Sequence, residues 1–152
     1  MDDRNRPRPQ PLIYFLLAIL LAALLHVAVP LRQLIPFPYT LTGLVPLLFG
    51  LWINVRADRE FSQEKTEVKV YRDASVLIDS GPFGFTRNPM YLGMTAVLMG
   101  ISILLGSISV YLSPILFFLL SQFHFIAVEE KMLAQKFGER YNVYRNRTRR
   151  WF

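Results

Sequence analysis

The chain has 152 residues, of which 53% are hydrophobic and only 18% are charged. A soluble domain of this length carries about 25% charged residues, so the composition favours one membrane domain. The chain has no cysteine and two histidines, which excludes disulfides, thiolate nucleophiles and cysteine-based metal sites, and we predict no metal site.

The first predicted element is a membrane span over residues 12–30. No formally charged residue lies between Arg8 and Arg32, and about 20 apolar residues cross a bilayer core. The segment that follows offers no small-residue cleavage site, so we expect an uncleaved span rather than a signal peptide. A second span is predicted over 38–56, after a proline-containing loop.

The third and fourth predicted spans come from an uncharged run of 41 residues, 88–128. As one helix this run would be about 60 Å long, twice the thickness of a hydrocarbon core. It must therefore fold back, and the Gly, Ser and Pro residues of GSISVYLSP supply the turn. This predicts an antiparallel hairpin of spans 89–106 and 111–128.

The predicted fold class is therefore an all-α integral membrane protein with four transmembrane helices, the last two forming a hairpin. A loop over 57–88 and a C-terminal helix over 129–147 complete the domain. Of the 17 Lys and Arg residues, only Arg32 falls in a predicted outer loop. The positive-inside rule then places both termini in the cytoplasm, which in a bacterium means an inner-membrane protein.

Two smaller patterns accompany these spans. Residues 57–80 mix both charge signs around a short alternating stretch at 66–71, which suggests a small β element, a lid or, as we favour, a solvated connector. Small residues recur every seven positions in spans two and three and predict close helix packing: Gly43, Gly50 and Ala57, then Gly93, Gly100 and Ser107.

The most informative motif is GPFGFTRNPMYLG, residues 81–93. Asn is a preferred N-cap residue and Pro is favoured at the first helical position, so Asn88 and Pro89 predict the start of span three. Arg87 adds a positive charge beside this helix N-terminus, a combination that suits a carboxylate or phosphate. The alternative is a helix start with an interfacial arginine and no ligand.

The hairpin places Glu129 and Glu130, at the end of span four, level with Arg87 and Asn88. Adjacent carboxylates at a membrane exit need compensation, which a structural salt bridge to Arg87 could provide. A cationic pole facing an anionic pole would also suit a zwitterion such as an amino-acid head group. The residues alone leave both interpretations open.

Together with EEKMLAQKFGERYNVYRNRTRRW at 129–151, this motif resembles the isoprenylcysteine carboxyl methyltransferase and phospholipid methyltransferase family. These are small membrane enzymes that use S-adenosylmethionine. The resemblance covers 75–151, roughly half of the chain. It implies a cofactor pocket formed by span three, the end of span four and the tail, with these contacts: Arg87, Asn88, Pro89, Tyr91, Gly93, His124, Glu129, Glu130, Tyr141, Tyr144 and Arg145.

The resemblance assigns no residue an acid–base role. Arg87 and Glu130 are candidates for orienting the cofactor or the acceptor. Asn88 stands where many prenylcysteine enzymes carry histidine and cannot take a proton, which argues against a general base there. For His124, a polar residue packed between helices is an equal alternative to a pocket contact.

The predicted function is methyl transfer from S-adenosylmethionine to a lipophilic acceptor in the bilayer, either an isoprenylcysteine-like carboxylate or a lipid amine. The alternative is a non-catalytic membrane protein with a structural pair between Arg87 and Glu129 or Glu130. A transporter is disfavoured because the spans contain no interior charged residue. The basic, aromatic tail suits anionic membrane lipids better than nucleic acid, and no oligomeric state is indicated.

Overall fold

The computed structural model describes residues 10–29, 31–63 and 76–152, and within these ranges the chain forms helices and turns with two isolated bridges and no strand. The predicted alternating stretch at 66–71 lies outside the described residues. The α-helices are α1 Pro11–Ala28, α2 Leu44–Gln63, α3 Pro82–Phe85, α4 Pro89–Leu105, α5 Leu112–Leu120, α6 Ile126–Phe137 and α7 Glu139–Arg147. Short 3-10 turns precede α2 and α5, and a π-helical turn, Ser121–Phe125, joins α5 to α6.

Three helical stretches in the described part are long and apolar enough to cross a membrane: Pro11–Ala28, Tyr39–Ser62 and Ile108–Phe137. This confirms a helical membrane fold. The predicted third span corresponds to α4, which has 17 residues and is therefore about 25 Å long, at the short end for a span. The count of four spans stays a prediction.

Helix α2 is longer than expected and continues through residues assigned to the loop, ending at Gln63. Ala57 is fully buried and forms a cluster with Ile78 and Phe83, against which Phe61 also packs. The helix therefore continues beyond the apolar run because its far end has a packing partner. Hydropathy marks the membrane part of a helix and not where the helix stops.

The C-terminal helix expected over 129–147 is instead two helices. The first is the end of a continuous helical stretch, Ile108–Phe137, which passes through Glu129 without a break. Gly138 then adopts φ 53° and ψ −122°, a conformation that glycine accepts without steric cost. The chain changes direction at this glycine and resumes as α7.

Helices α2 and α4 pack backbone to backbone through the predicted stripes of small residues. A Cβ atom added at Gly100 would lie 2.6 Å from Leu47 Cβ and 2.7 Å from the Gly43 carbonyl oxygen. Gly93 likewise faces α2, where a Cβ would lie 2.5 Å from Asn54 Nδ2. The packing interpretation is confirmed for the four glycines of the stripes, whereas Ala57 packs against Ile78 and Phe83 and Ser107 bonds to His26.

The hairpin turn after α4 is hydrogen-bonded to the loop that precedes α2. Gly106 ends α4 with φ 74°, and its carbonyl oxygen accepts a hydrogen bond from the Leu34 N–H at 2.7 Å. Helix α1 lies against the second arm of the hairpin, where the Ser113 hydroxyl donates to the Ala18 carbonyl at 2.5 Å. The start of α4 and the start of α6 lie at the opposite end of the bundle from this turn.

Candidate functional site

The C-terminal segment, residues 148–152, folds back along the start of α4. The Arg87 N–H donates to the Arg149 carbonyl at 2.9 Å, and Thr86 and Arg149 form a parallel bridge. The carbonyl of Arg150 accepts from the Thr86 hydroxyl at 2.9 Å and from Asn88 Nδ2 at 3.0 Å. Main-chain bonds therefore attach this segment to the motif.

Glu130 lies between two arginines at this junction. Its Oε1 is 2.8 Å from Arg87 Nη2 and its Oε2 is 2.5 Å from Arg150 Nη2. The side chains of Arg87 and Glu130 are 9% and 11% exposed, whereas that of Arg150 is 31% exposed. The hydrogen bond to Glu130 raises the pKa of Arg150. We call these three residues the Glu130 cluster.

The guanidinium of Arg87 also fixes the turn between α7 and the C-terminal segment. Its Nη1 donates to the carbonyls of Arg145 at 2.9 Å and Thr148 at 2.7 Å. The Arg145 side chain itself is exposed, so its carbonyl rather than its guanidinium reaches the cluster. Arg87 thus connects three parts of the chain: the motif, the start of α6 and the tail.

The neighbouring carboxylate, Glu129, has a different partner. The Tyr91 hydroxyl donates to Glu129 Oε1, and the Tyr91 ring stacks on Phe125 with a centroid distance of 6.1 Å. Adjacent glutamates are thus compensated separately, one by a phenol and the other by two guanidiniums. This is how the chain tolerates two carboxylates at the end of an apolar helix.

Two tyrosines of α7 cover the side of the site that the predicted topology places toward the cytoplasm. Tyr141 and Tyr144 are 1% and 4% exposed, and the Tyr144 hydroxyl donates to the Phe83 carbonyl at 2.8 Å. Burial raises the pKa of both phenols, and the charge of Glu130 adds to the rise for Tyr141. Both hydroxyls therefore remain neutral donors at physiological pH.

Two hydrogen-bonding atoms of the site have no partner among the described residues. These are Arg87 Nε and Thr148 Oγ1, both buried. Buried polar groups are almost always paired, and these two belong to residues that already share a hydrogen bond. Both atoms can donate a hydrogen bond, and the described part of the chain supplies no acceptor for either.

Other predicted site residues have different surroundings. Asn88 occupies the N-cap position of α4 as predicted but makes no side-chain capping bond; its amide nitrogen donates to the C-terminal segment instead. Pro89 begins α4 as predicted and is fully buried. Gly93 packs against α2. His124 is exposed, with its ring 5.4 Å from that of Phe125, and the described contacts do not join it to the cluster.

Sequence reasoning missed Arg150, Thr86 and Thr148. The tail's basic and aromatic composition predicts an interfacial anchor, and the resemblance adds Tyr141, Tyr144 and Arg145 to the pocket, but neither singles out Arg150. The tail's Trp151 in fact donates from Nε1 to Gln122 Oε1 at 2.6 Å and lies 4.8 Å from the Phe118 ring. Thr86 donates its hydroxyl to a main-chain carbonyl, and Thr148 meets Arg87 through its own carbonyl. Neither contact has a chemical signature that a sequence pattern could reveal.

The fold and the site define a class: a small helical membrane protein whose polar residues converge at one end of a helical hairpin. A family model described as phospholipid methyltransferase matches residues 39–140, about two thirds of the chain. The chain belongs to the phospholipid methyltransferase family, which confirms the resemblance drawn from the motifs. No curated protein and no solved structure gave a significant match. The family match ends before the C-terminal segment.

Proposed function

We propose that this chain transfers a methyl group from S-adenosylmethionine to a lipophilic acceptor presented by the bilayer. Family membership supports methyl-transfer chemistry, and the apolar helices support an acceptor that reaches the protein through the membrane. The observation that carries the proposal is the convergence of the motif, the start of α6 and the tail on Glu130, beside two unused donors.

The residues present fit the zwitterionic amino-acid part of such a cofactor. Arg87 Nε and Thr148 Oγ1 are buried and unpartnered, so they would donate to its carboxylate. Glu130 would accept from its ammonium group in exchange for Arg150, which is the more exposed of its two partners. Charge-assisted bonds of this kind are the stronger class of hydrogen bond.

Methyl transfer makes modest demands on the remaining side chains. When bound, S-adenosylmethionine supplies a methyl group on a sulfonium, a leaving group that needs no proton. The chain's contribution is then to hold donor and acceptor in line and to exclude water. A carboxylate acceptor needs no base, whereas an amine acceptor must lose a proton before or during attack. Both acceptor classes, an isoprenylcysteine-like carboxylate and a lipid amine, belong to the proposal.

The orientation proposed with this function has four spans and both termini in the cytoplasm, where the cofactor is available. Charge supports it, because 16 of the 17 basic residues lie on that side under this topology. The Glu130 cluster would then sit at the inner membrane–water boundary. A water-soluble cofactor and a membrane-embedded acceptor could both reach that level.

The test is transfer of a labelled methyl group from S-adenosylmethionine by purified protein in liposomes. One preparation contains phosphatidylethanolamine and another a prenylated cysteine analogue. Label should enter the lipid extract with one of them, and Arg87→Gln should abolish the transfer. Absence of transfer to both, by folded protein, would contradict these two acceptor classes.

The alternative is a non-catalytic membrane protein in which the cluster only attaches the tail to the hairpin. The direct 2.8 Å contact between Arg87 and Glu130 favours it, since no ligand is needed to neutralise either charge. This alternative predicts that cluster variants lose stability and that the wild type binds no cofactor. Cofactor binding by the wild type therefore separates the two.

A further inference from the structure

A cavity lies between α2 and α3. It has a volume of about 330 Å³ and is bordered by α2 and the turn at 81–85, with these lining side chains: Phe49, Trp52, Ile53, Arg56, Pro82 and Phe85. A volume above 300 Å³ is in the range of small-molecule sites. None of these residues contributes to the Glu130 cluster.

The walls of this cavity are aromatic side chains that are exposed on the outside of the helix bundle. Phe49, Trp52 and Phe85 are 41%, 58% and 62% exposed, and the Phe49 and Trp52 rings lie 6.1 Å apart. Two of the three belong to Tyr39–Ser62, a stretch apolar enough to cross a membrane. On the lateral face of such a helix, the molecules available to fill a cavity are lipids.

Arg56 gives the cavity a charged end. It is the first charged residue after Arg32 in the sequence and lies one helical turn beyond Trp52, a residue type that favours the membrane–water interface. Arg56 is exposed, and the described part of the chain provides it with no ion pair. A guanidinium at headgroup depth is suited to a phosphate, with which it forms charge-assisted bonds.

We propose that this cavity binds one bilayer phospholipid, with its phosphate at Arg56 and an acyl chain against Phe49, Trp52 and Phe85. The positive charge lies at one end of the cavity and the apolar walls lie beyond it, as the phosphate and the acyl chain do in a phospholipid. The site is separate from the Glu130 cluster, and its occupation does not depend on methyl transfer. Phe85 lies two residues before Arg87, so the bound lipid would lie beside the motif.

The test uses Trp52 as a reporter of bound lipid. The chain has two tryptophans, so Trp151→Phe leaves Trp52 as the only emitter. Brominated phosphatidylglycerol, titrated into the detergent-purified full chain, should quench this emission in a saturable way. Arg56→Gln should raise the half-saturating lipid fraction about five-fold, the effect expected of one basic residue at an anionic surface.

The matched control is Arg59→Gln, which removes an exposed positive charge from the same helix but outside the cavity lining. It should leave the titration unchanged. Phe85→Ala should weaken quenching by removing one apolar wall. Native mass spectrometry of lipid retained by the otherwise wild-type chain, with and without Arg56→Gln, gives the same comparison if Trp151→Phe fails to fold.

Three results would overturn the proposal. Equal quenching by brominated diacylglycerol, which lacks the phosphate, would show that no headgroup is recognised. Equal titrations for Arg56→Gln and Arg59→Gln would show that position within the cavity is irrelevant. No quenching, accompanied by a dimer in solution, would assign this face to a second copy of the chain instead.

Discussion

At the scale of single residues, Glu130 holds together parts of the chain that are distant in sequence. Its carboxylate is the shared partner of Arg87 and Arg150, and its side chain is 11% exposed. Glu130→Gln keeps the shape but removes the charge, leaving two guanidiniums side by side. We expect the free energy of unfolding to fall by about 3 kcal/mol, as when a buried ion pair loses one partner.

The control for this prediction is the pair between Arg147 and Asp79. Its length is also 2.8 Å, but its side chains are 59% and 42% exposed, and exposed pairs contribute about 0–1 kcal/mol. Unfolding of Glu130→Gln and Asp79→Asn is compared in detergent by thermal denaturation. Equal losses of unfolding free energy in the two variants would refute the claim that Glu130 stabilises the fold more than an exposed ion pair does.

Substitutions at Thr148 separate an effect on ligand binding from an effect on folding stability. Its hydroxyl is buried without a partner, so Thr148→Val should leave the melting temperature unchanged or raise it. If the hydroxyl serves a ligand, the same variant should weaken S-adenosylhomocysteine binding about tenfold, the loss of one hydrogen bond to a charged group. Thr148→Ser keeps the hydroxyl and should retain affinity. Identical affinities for Val and Ser would remove Thr148 from the site.

The contact between Arg87 and Glu130 could be anticipated, because in an antiparallel hairpin the start of one helix is level with the end of the other. The roles of Thr148 and Arg150 could not. They depend on the chain turning back after Gly138, and much of what holds the tail in place is main-chain carbonyls. Carbonyls are common to all residues and leave no mark in a sequence.

At the scale of helices, the contact between α2 and α4 depends on the absence of side chains. A Cβ at Gly100 would lie 2.7 Å from the backbone nitrogen of Leu47, which cannot move without separating the helices. Gly100→Ala should therefore cost about 2 kcal/mol or more, in the range of overpacked cores. The measurement is again thermal denaturation in detergent.

Gly84 provides the matched control for the Gly100→Ala prediction. A Cβ there would meet only the Asp79 carbonyl at 3.5 Å, an ordinary contact. Gly84→Ala should be neutral or slightly stabilising, because alanine restricts the unfolded chain more than glycine does. A loss for Gly84→Ala as large as that for Gly100→Ala would mean that helix approach is not the cause.

Helix positions were predictable and helix ends were less so. An uncharged run twice as long as a membrane is thick required a hairpin, and Pro89 marked the start of α4. The far ends of α2 and α6 were missed, since charged residues such as Arg59 and Lys131 continue a helix readily once it has begun. At the end of α6, Gly138 with its positive φ provides a local stop.

At the scale of the whole molecule, the proposed orientation can be tested without interference from native thiols, because the chain has no cysteine. Gln33→Cys lies in the predicted outer loop and Asn146→Cys near the predicted cytoplasmic end, and both positions are exposed. A membrane-impermeant maleimide should label the first in intact cells and the second only after lysis. Labelling of Asn146→Cys in intact cells would reverse or refute the topology.

The measurement that tests the central claim most directly is calorimetric binding of S-adenosylmethionine and S-adenosylhomocysteine to the wild-type chain. Folded protein is examined both in detergent and in lipid nanodiscs. We predict saturable, one-to-one binding of both molecules in at least one of these environments, because the site offers unused donors beside a carboxylate. No binding in either environment would contradict the methyltransferase proposal and leave the Glu130 cluster with a structural role alone.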